Sequence, residues 1–158
     1  MIILGIDPGT VSIGYALLEG DPHTSKLLKA GLIKIDSASN VGRLEELAGG
    51  IRSIIKTWRP SVLATERLFF SKNQKTALSV AEARGVILLT THLAGLKVYE
   101  YTPLEVKKTI TGDGKADKIQ LKKMVQLTVP EARDLKATDD VFDAIAIALT
   151  CFFQERRK

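Results

Sequence analysis

Four acidic residues stand where a charged side chain is costly unless a partner binds it. Asp7 ends the mostly apolar run 2–6, and Glu66 ends a second such run, 62–65. Asp140 and Asp143 open a third segment, which continues uncharged from position 144 to 154. A carboxylate at the edge of a buried element needs a hydrogen bond, a counter-charge or a cation. Because Mg²⁺ and Mn²⁺ prefer hard oxygen ligands, the four acids predict a shared divalent-metal site.

Each part of this pattern also has an ordinary interpretation. Asp140 and Asp143 are three positions apart and share one face of a helix, but the helix dipole also favours acids in a first turn. Asp139 is interpreted in that way, as a helix cap or as an acid that lies just outside the set of metal ligands. The segment Asp7-Pro8-Gly9-Thr10 can be a simple hairpin turn, or the phosphate-binding loop of an actin-like ATPase. The metal interpretation is favoured because three separate segments supply the acids.

Apolar periodicity predicts the elements that must position these acids. Strands are expected over 2–7, 13–18, 26–35, 61–66 and 98–101, and helices over 41–58, 74–93, 103–110, 116–127 and 138–154. Asn40 is the expected N-cap of the first helix, and 130–136 is expected to be a polar loop. An antiparallel meander followed by helix-linked strands predicts an α/β fold with a mixed five-stranded sheet flanked by helices. Asp7 and Glu66 would then end two strands that can be neighbours.

The length and composition of the whole chain limit the classes of protein to which it can belong. It has 158 residues, 45% of them hydrophobic and 26% charged, which suits a single domain spanning residues 1–158. We expect no membrane span and no secretory signal, because the apolar stretches are short and no basic segment leads the chain. Cys151 is the only cysteine, so we expect neither an internal disulfide nor a Cys/His zinc site. These features predict a cytoplasmic protein.

The formal charge of +5 favours a polyanionic partner, with the acids holding cations beside it. Lysines concentrate in one region, at Lys107, Lys108, Lys115, Lys118, Lys122 and Lys123. Lys115 and Lys118 lie beside a glycine-flanked loop, where they can reach a phosphate. The alternative is a solvated helix face, which is typical of lysines. Weaker candidates for the same surface are Arg67, Lys72, Lys75 and Arg84.

Two aromatic residues, Phe69 and Phe70, follow Glu66 in a polar and basic loop. Such a pair can stack on bases or wedge between them at a distorted DNA site. The alternative is that both rings fold back onto the core, as most phenylalanines do. Position therefore makes them candidates for nucleic-acid contact.

Taken together, these motifs resemble the RuvC Holliday junction resolvases. The resemblance is carried in order along nearly the whole chain by 3–9, Glu66 with Leu68-Phe69, Lys72-Asn73, 83–86, 106–109 and 140–148. It implies an RNase H-like fold and a homodimer that nicks two like-polarity strands of a four-way DNA junction symmetrically, in recombination and repair. It also implies Mg²⁺ or Mn²⁺, with two ions per active site, and allows a branch-migration motor of the RuvA–RuvB type as a partner.

The resemblance also assigns roles to residues. The family's catalytic, metal-binding acids match Asp7, Glu66, Asp140 and Asp143, although some members carry histidine at the third position. Phe69 matches the family's stacking aromatic, while Lys107 and Lys118 match lysines used for DNA contact or catalysis. Phe70, Lys72, Arg84, Lys108 and Lys115 complete the predicted DNA-binding set. Part of the helix predicted over 74–93 is expected at a two-fold interface.

Three other functions stay open at this point. An actin-like ATPase or kinase needs two domains to close on a nucleotide, and 158 residues are too few. A non-catalytic junction-binding protein would not need four intact acids. An RNase H-like nuclease acting on RNA is the nearest rival, and the Phe69 loop with the lysine cluster favours a DNA junction over it.

Overall fold

The computed structural model describes residues 1–9, 11–21, 24–67 and 74–155. The strands are β1 (Ile2–Asp7), β2 (Ile13–Gly20), β3 (Ser25–Ile33), β4 (Val62–Glu66) and β5 (Lys97–Tyr101). The helices are α1 (Asn40–Trp58), α2 (Gln74–Leu93), α3 (Pro103–Thr111), α4 (Lys118–Thr128) and α5 (Asp139–Glu155), with a short 3₁₀ turn at Pro130–Ala132. No helix among these residues is long and apolar enough to cross a bilayer.

The five strands form one sheet in the order β3-β2-β1-β4-β5. The β1–β2 and β2–β3 pairs are antiparallel, whereas β1–β4 and β4–β5 are parallel. The predicted α/β fold with a mixed five-stranded sheet is therefore confirmed. In the parallel pair Ile6 lies beside Thr65, so that Asp7 and Glu66 are the next residues at the same edge.

Side chains of the sheet divide between two apolar layers because successive residues of a strand point to opposite faces. Ile3 of β1 and Ala64 of β4 join the layer formed with α3, α4 and α5. Leu4 and Ile6 of β1, with Leu63 of β4, join the layer formed with α1 and α2. By the same alternation, Asp7 and Glu66 lie on the α5 face.

Helix α5 packs directly on the backbone of the sheet. A Cβ added at Gly5 would lie 2.4 Å from the Ala144 carbonyl oxygen, and one added at Gly14 would lie 2.0 Å from the Asp140 carbonyl oxygen. Gly14 is the register partner of Asp7. Two strand positions without side chains thus bring the first turn of α5 close to the end of β1.

The first helix begins with a different cap from the one predicted. Ser39 is the N-cap residue, and its hydroxyl accepts a hydrogen bond from the Gly42 N–H at 3.0 Å. Ser39 has the extended backbone that an N-cap requires. The Asn40 amide instead donates to Glu82 of α2 at 2.8 Å, which joins the start of α1 to the middle of α2. Asn40 as a cap was therefore wrong, since the helix begins one residue earlier.

Candidate metal centre and DNA-facing cleft

The four predicted acids line a single cleft of about 330 Å³ at the edge where β1 and β4 end. Asp7 and Glu66 are the last residues of those strands, and Asp140 and Asp143 lie in the first turns of α5. The rest of the lining comes from α3, α4 and α5, through Pro103, Val106, Lys107, Lys118, Leu121 and Ile147. Residues separated by more than 130 positions in the chain thus share one small volume.

Three of the acids carry pKa values above their ordinary range. Burial raises the pKa of Asp7 to about 7, and repulsion from Asp143, Glu66 and Asp140 adds to the effect. Burial, followed by repulsion from Asp143, also raises the pKa of Glu66, while Lys107 and Lys118 act in the opposite direction. The carboxylates are therefore held close enough to disfavour one another's charge, which a bound cation would relieve.

Lys118 supplies one positive charge to this acidic group. Its Nζ lies 3.5 Å from Asp143 Oδ2, and the proximity of Asp143 raises the pKa of the ammonium group. Burial raises the pKa of Asp143 as well, and Lys118 opposes that shift. The ammonium stays protonated at neutral pH and partly neutralises the cleft.

The donors fit a hard divalent cation by type and charge, because all four are carboxylates. As the side chains stand, no three His, Cys, Asp or Glu residues of the described chain are grouped tightly enough to hold one ion. Acids thus line the cleft without a closed ligand shell, and Lys118 contacts one of them.

The raised pKa of Asp7 predicts that this residue destabilises the metal-free protein. A carboxyl group with a pKa of about 7 when folded and 3.8 in its ordinary state contributes most stability below pH 4, and that contribution is lost as the pH rises to 7. We expect Asp7→Asn to stabilise the protein in EDTA at pH 8 by on the order of 2–4 kcal/mol, or roughly 5–10 °C in Tm. At pH 4 the gain should be small. Thermal unfolding at both pH values tests this, and an unchanged or lower Tm at pH 8 would contradict it.

The predicted basic residues occupy different places. Lys107 and Lys118 line the cleft. Lys108 and Lys115 are exposed and do not line it; they lie on α3 and on the loop that joins α3 to α4. Arg84 lies on α2, where its guanidinium donates to Glu100 of β5, through Nε at 3.1 Å and through a second, shorter bond. The structure therefore brings two of these cations to the acids, and it gives Arg84 an intramolecular partner.

Phe69, Phe70 and Lys72 lie outside the described residues.

The apolar wall of the cleft was not among the predicted site residues, because Val106, Leu121 and Ile147 look like ordinary core positions in sequence. Pro103 gave the one usable signal, since Thr102-Pro103 predicted a helix start. Thr102 is indeed the N-cap of α3, and its hydroxyl accepts a hydrogen bond from the Glu105 N–H.

Comparison with known proteins identifies the family to which the chain is similar. The family model described as "Crossover junction endodeoxyribonuclease RuvC" matches residues 3–151. The crossover junction endodeoxyribonuclease RuvC of Moorella thermoacetica is 45% identical over 150 residues, covering 94% of this chain and 89% of the relative. That of Heliobacterium modesticaldum is 42% identical over 152 residues, covering 96% and 93%. The structure of T. thermophilus RuvC in complex with a Holliday junction substrate superposes with a TM-score of 0.88 at 29% identity, covering 99% and 96%.

The fold and the acid-lined cleft define an RNase H-like nuclease. More specifically, the chain belongs to the RuvC family of crossover junction endodeoxyribonucleases. The predicted family, fold and enzyme class are thereby confirmed. The ATPase, RNA-nuclease and non-catalytic alternatives lose their support.

Proposed function

We propose that this protein cuts four-way DNA junctions with Asp7, Glu66, Asp140 and Asp143 as its metal-binding, catalytic acids. The observation that carries the proposal is the meeting of all four in one cleft that also contains two lysines. The cofactor we propose is Mg²⁺ or Mn²⁺, with two ions per active site. Such ions supply a nucleophilic water at neutral pH and stabilise charge on the leaving oxygen when they are bound.

The chain's own residues would then position the substrate and its charges. The carboxylates hold the cations, and the apolar wall formed by Val106, Leu121 and Ile147 limits access of water to the cleft. With a cation held at Asp143, the Lys118 ammonium would be displaced from that carboxylate and would be available to a phosphate oxygen of the substrate. Cleavage of the bond to the 3′-oxygen leaves 5′-phosphate and 3′-hydroxyl ends.

The other predicted DNA contacts belong to the same proposal. The exposed Lys108 and Lys115 would add positive charge outside the cleft, and Phe69, Phe70 and Lys72 come soon after β4 in the chain. Arg84 remains a predicted DNA contact, although its ion pair with Glu100 offers a structural role instead. A branch-migration motor of the RuvA–RuvB type remains a proposed partner, and the cytoplasm the proposed location.

The salt dependence of junction binding distinguishes a lysine that contacts a DNA phosphate from an arginine held in an ion pair within the protein. Lys107→Gln should reduce the slope of log affinity against log salt concentration by about 0.9, because one phosphate contact is lost. Arg84→Gln should lower Tm through loss of the ion pair with Glu100, and an unchanged slope would show that this ion pair is the only role of Arg84. Junction binding by a metal-free protein at several salt concentrations measures both slopes. A reduced slope for Arg84→Gln would instead make Arg84 a phosphate contact.

The outer face of α2 is the interface that we propose for the homodimer. Ala83, Ile87 and Thr91 turn one side of this helix into the core, while Leu78 and Leu89 are exposed on the opposite side. Gly85 lies between these leucines on the exposed face, and a Cβ added there would meet nothing within 4 Å. An exposed apolar stripe around a glycine favours close contact with another helix. A second copy of the chain would place two active sites on one junction.

A direct assay tests the function. The protein is offered a four-way DNA junction, a linear duplex of the same sequence and an RNA–DNA hybrid, each with and without Mg²⁺. We expect paired nicks in the junction only, dependent on the metal, and products that a ligase can seal. Cutting of the duplex or the hybrid at a comparable rate would contradict the proposal.

A further inference from the structure

A second cleft, of about 260 Å³, lies where α1, α2 and the turn between β1 and β2 meet. It is on the other face of the sheet from the acids, because Ile13, Leu47 and Ala83, which line it, belong to the apolar layer of α1 and α2. These three side chains are buried and form an apolar floor. Nothing in the proposed cleavage chemistry uses this cleft.

The rim of the second cleft is polar and positively charged. Arg43 comes from α1, and Lys75 and Ser79 from the first turns of α2. None of the residues that line this cleft, all of them described, is acidic. An apolar floor under a cationic rim suits a ligand with a flat apolar part and an attached anion. A nucleobase with its backbone phosphate has this chemistry.

The volume decides how much of a nucleotide can enter. Pockets that enclose drug-sized ligands measure about 300–1,000 Å³, and this cleft is smaller. One base can therefore occupy the floor, while its sugar and phosphate stay at the rim near Lys75. Ser79 and Asn40 at the rim offer a hydroxyl and an amide oxygen to the edges of a base.

The two clefts share one turn of the chain. Asp7 lines the first cleft, and Gly9 and Val11 line the second. Gly9 follows Asp7 by two residues, which span at most about 7 Å. A DNA strand advances by about 3.4 Å per nucleotide along the helix axis, so this separation corresponds to about two nucleotides. This chain distance allows a base about two nucleotides from a phosphate bound at Asp7 to reach the edge of the second cleft.

We propose that the second cleft binds an unstacked base of the DNA substrate, one or two nucleotides from the phosphodiester that is cut, with Lys75 facing the backbone phosphate. This inference rests on the proposed function of the first cleft. It gives the enzyme a place to read one base of its substrate. Unstacking a base costs least where pairing is already disturbed, as it is at a crossover.

Fluorescence of 2-aminopurine tests the inference. The fluorescent base replaces, one at a time, each of the three nucleotides on either side of the cut in a four-way junction. Asp7→Asn protein serves as the background, because it should bind without cutting. We expect one position to change its fluorescence on binding, and Ser79→Leu, which fills the mouth of the cleft, to remove at least half of that change. Lys75→Gln should weaken junction binding several-fold.

Two matched controls lie on α1 among residues that line neither cleft. Ser53→Leu repeats the change of side chain at an exposed site, and Lys56→Gln repeats the loss of charge. Both should behave as the background protein does. Thermal unfolding and sedimentation confirm that the Ser79→Leu protein is folded and keeps its oligomeric state, and Ser79→Val, a smaller filling change, replaces it if it does not.

The outcomes distinguish failure of this inference from failure of the proposed junction-cleaving function. If the background protein binds the junction and Ser79→Leu leaves the fluorescence response equal to that of Ser53→Leu at every position, the second cleft holds no base. If the background protein does not bind the junction at all, the proposed function and this inference both fail. A response that Ser79→Leu abolishes, and Ser53→Leu preserves, supports the site.

Discussion

Asp143→Asn is expected to lower the rate of junction cleavage by at least about 10³-fold and to leave junction affinity within about threefold. The Asp143 carboxylate lines the acid cleft and contacts Lys118 at 3.5 Å. An amide keeps the shape of the side chain but removes the charge that a divalent cation needs. Affinity should survive because it depends on lysines along the DNA backbone.

Single-turnover cleavage at saturating protein measures the rate, and a gel-shift assay in Ca²⁺ or EDTA measures the affinity. Asp139 supplies the matched control, since it is an exposed acid in the first turn of the same helix that does not line the cleft. Asp139→Asn should retain most of the activity. A similar loss in both variants would mean that the helix terminus matters through its total charge and that Asp143 has no individual role.

Leu89→Glu should convert the protein to a monomer and lower the rate of paired nicking by at least about 100-fold. Leu89 is 60% exposed on the outer face of α2. Near a two-fold axis one substitution enters the interface twice, and each 1.4 kcal/mol of lost association energy weakens the dimer about tenfold. Placing a carboxylate against apolar surface costs more than that unless it finds a partner.

Analytical ultracentrifugation over a range of protein concentrations measures the oligomeric state, and a cruciform plasmid separates paired from single nicks. Leu127→Glu is the matched control, because Leu127 is 58% exposed on α4, away from α2. It should remain a dimer and resolve junctions normally. If Leu89→Glu protein also remains a dimer, the interface lies on another surface.

Much of this architecture could be predicted from the sequence because the relevant signals are local. Helix α2 has the predicted bounds, 74–93, since Ala, Leu, Val and Ile recur along its length. The four acids are recognisable because each one ends or opens an apolar segment. Their proximity could be anticipated for Asp7 and Glu66, which end two strands, once those strands were taken as parallel neighbours.

Other features depend on partners distant in sequence. The contact between Lys118 and Asp143 joins two helices and leaves no periodic signal. Arg84 looked like any other basic residue, and only the placement of β5 under α2 shows Glu100 as its partner. Ser39 and Asn40 are both good capping residues, so the backbone conformation, and not residue type, decided between them.

The bare backbone beneath α5 has a consequence for how this enzyme can evolve. Because Gly5 and Gly14 leave no room for even one methyl group, any side chain there would lift the helix and carry Asp140 and Asp143 away from the strands. A catalogue of inactivating substitutions would therefore rank two glycines beside the four carboxylates, although neither glycine can ligate an ion or contact DNA. Active variants of the enzyme must therefore also keep the space between α5 and these two strand positions free of side chains.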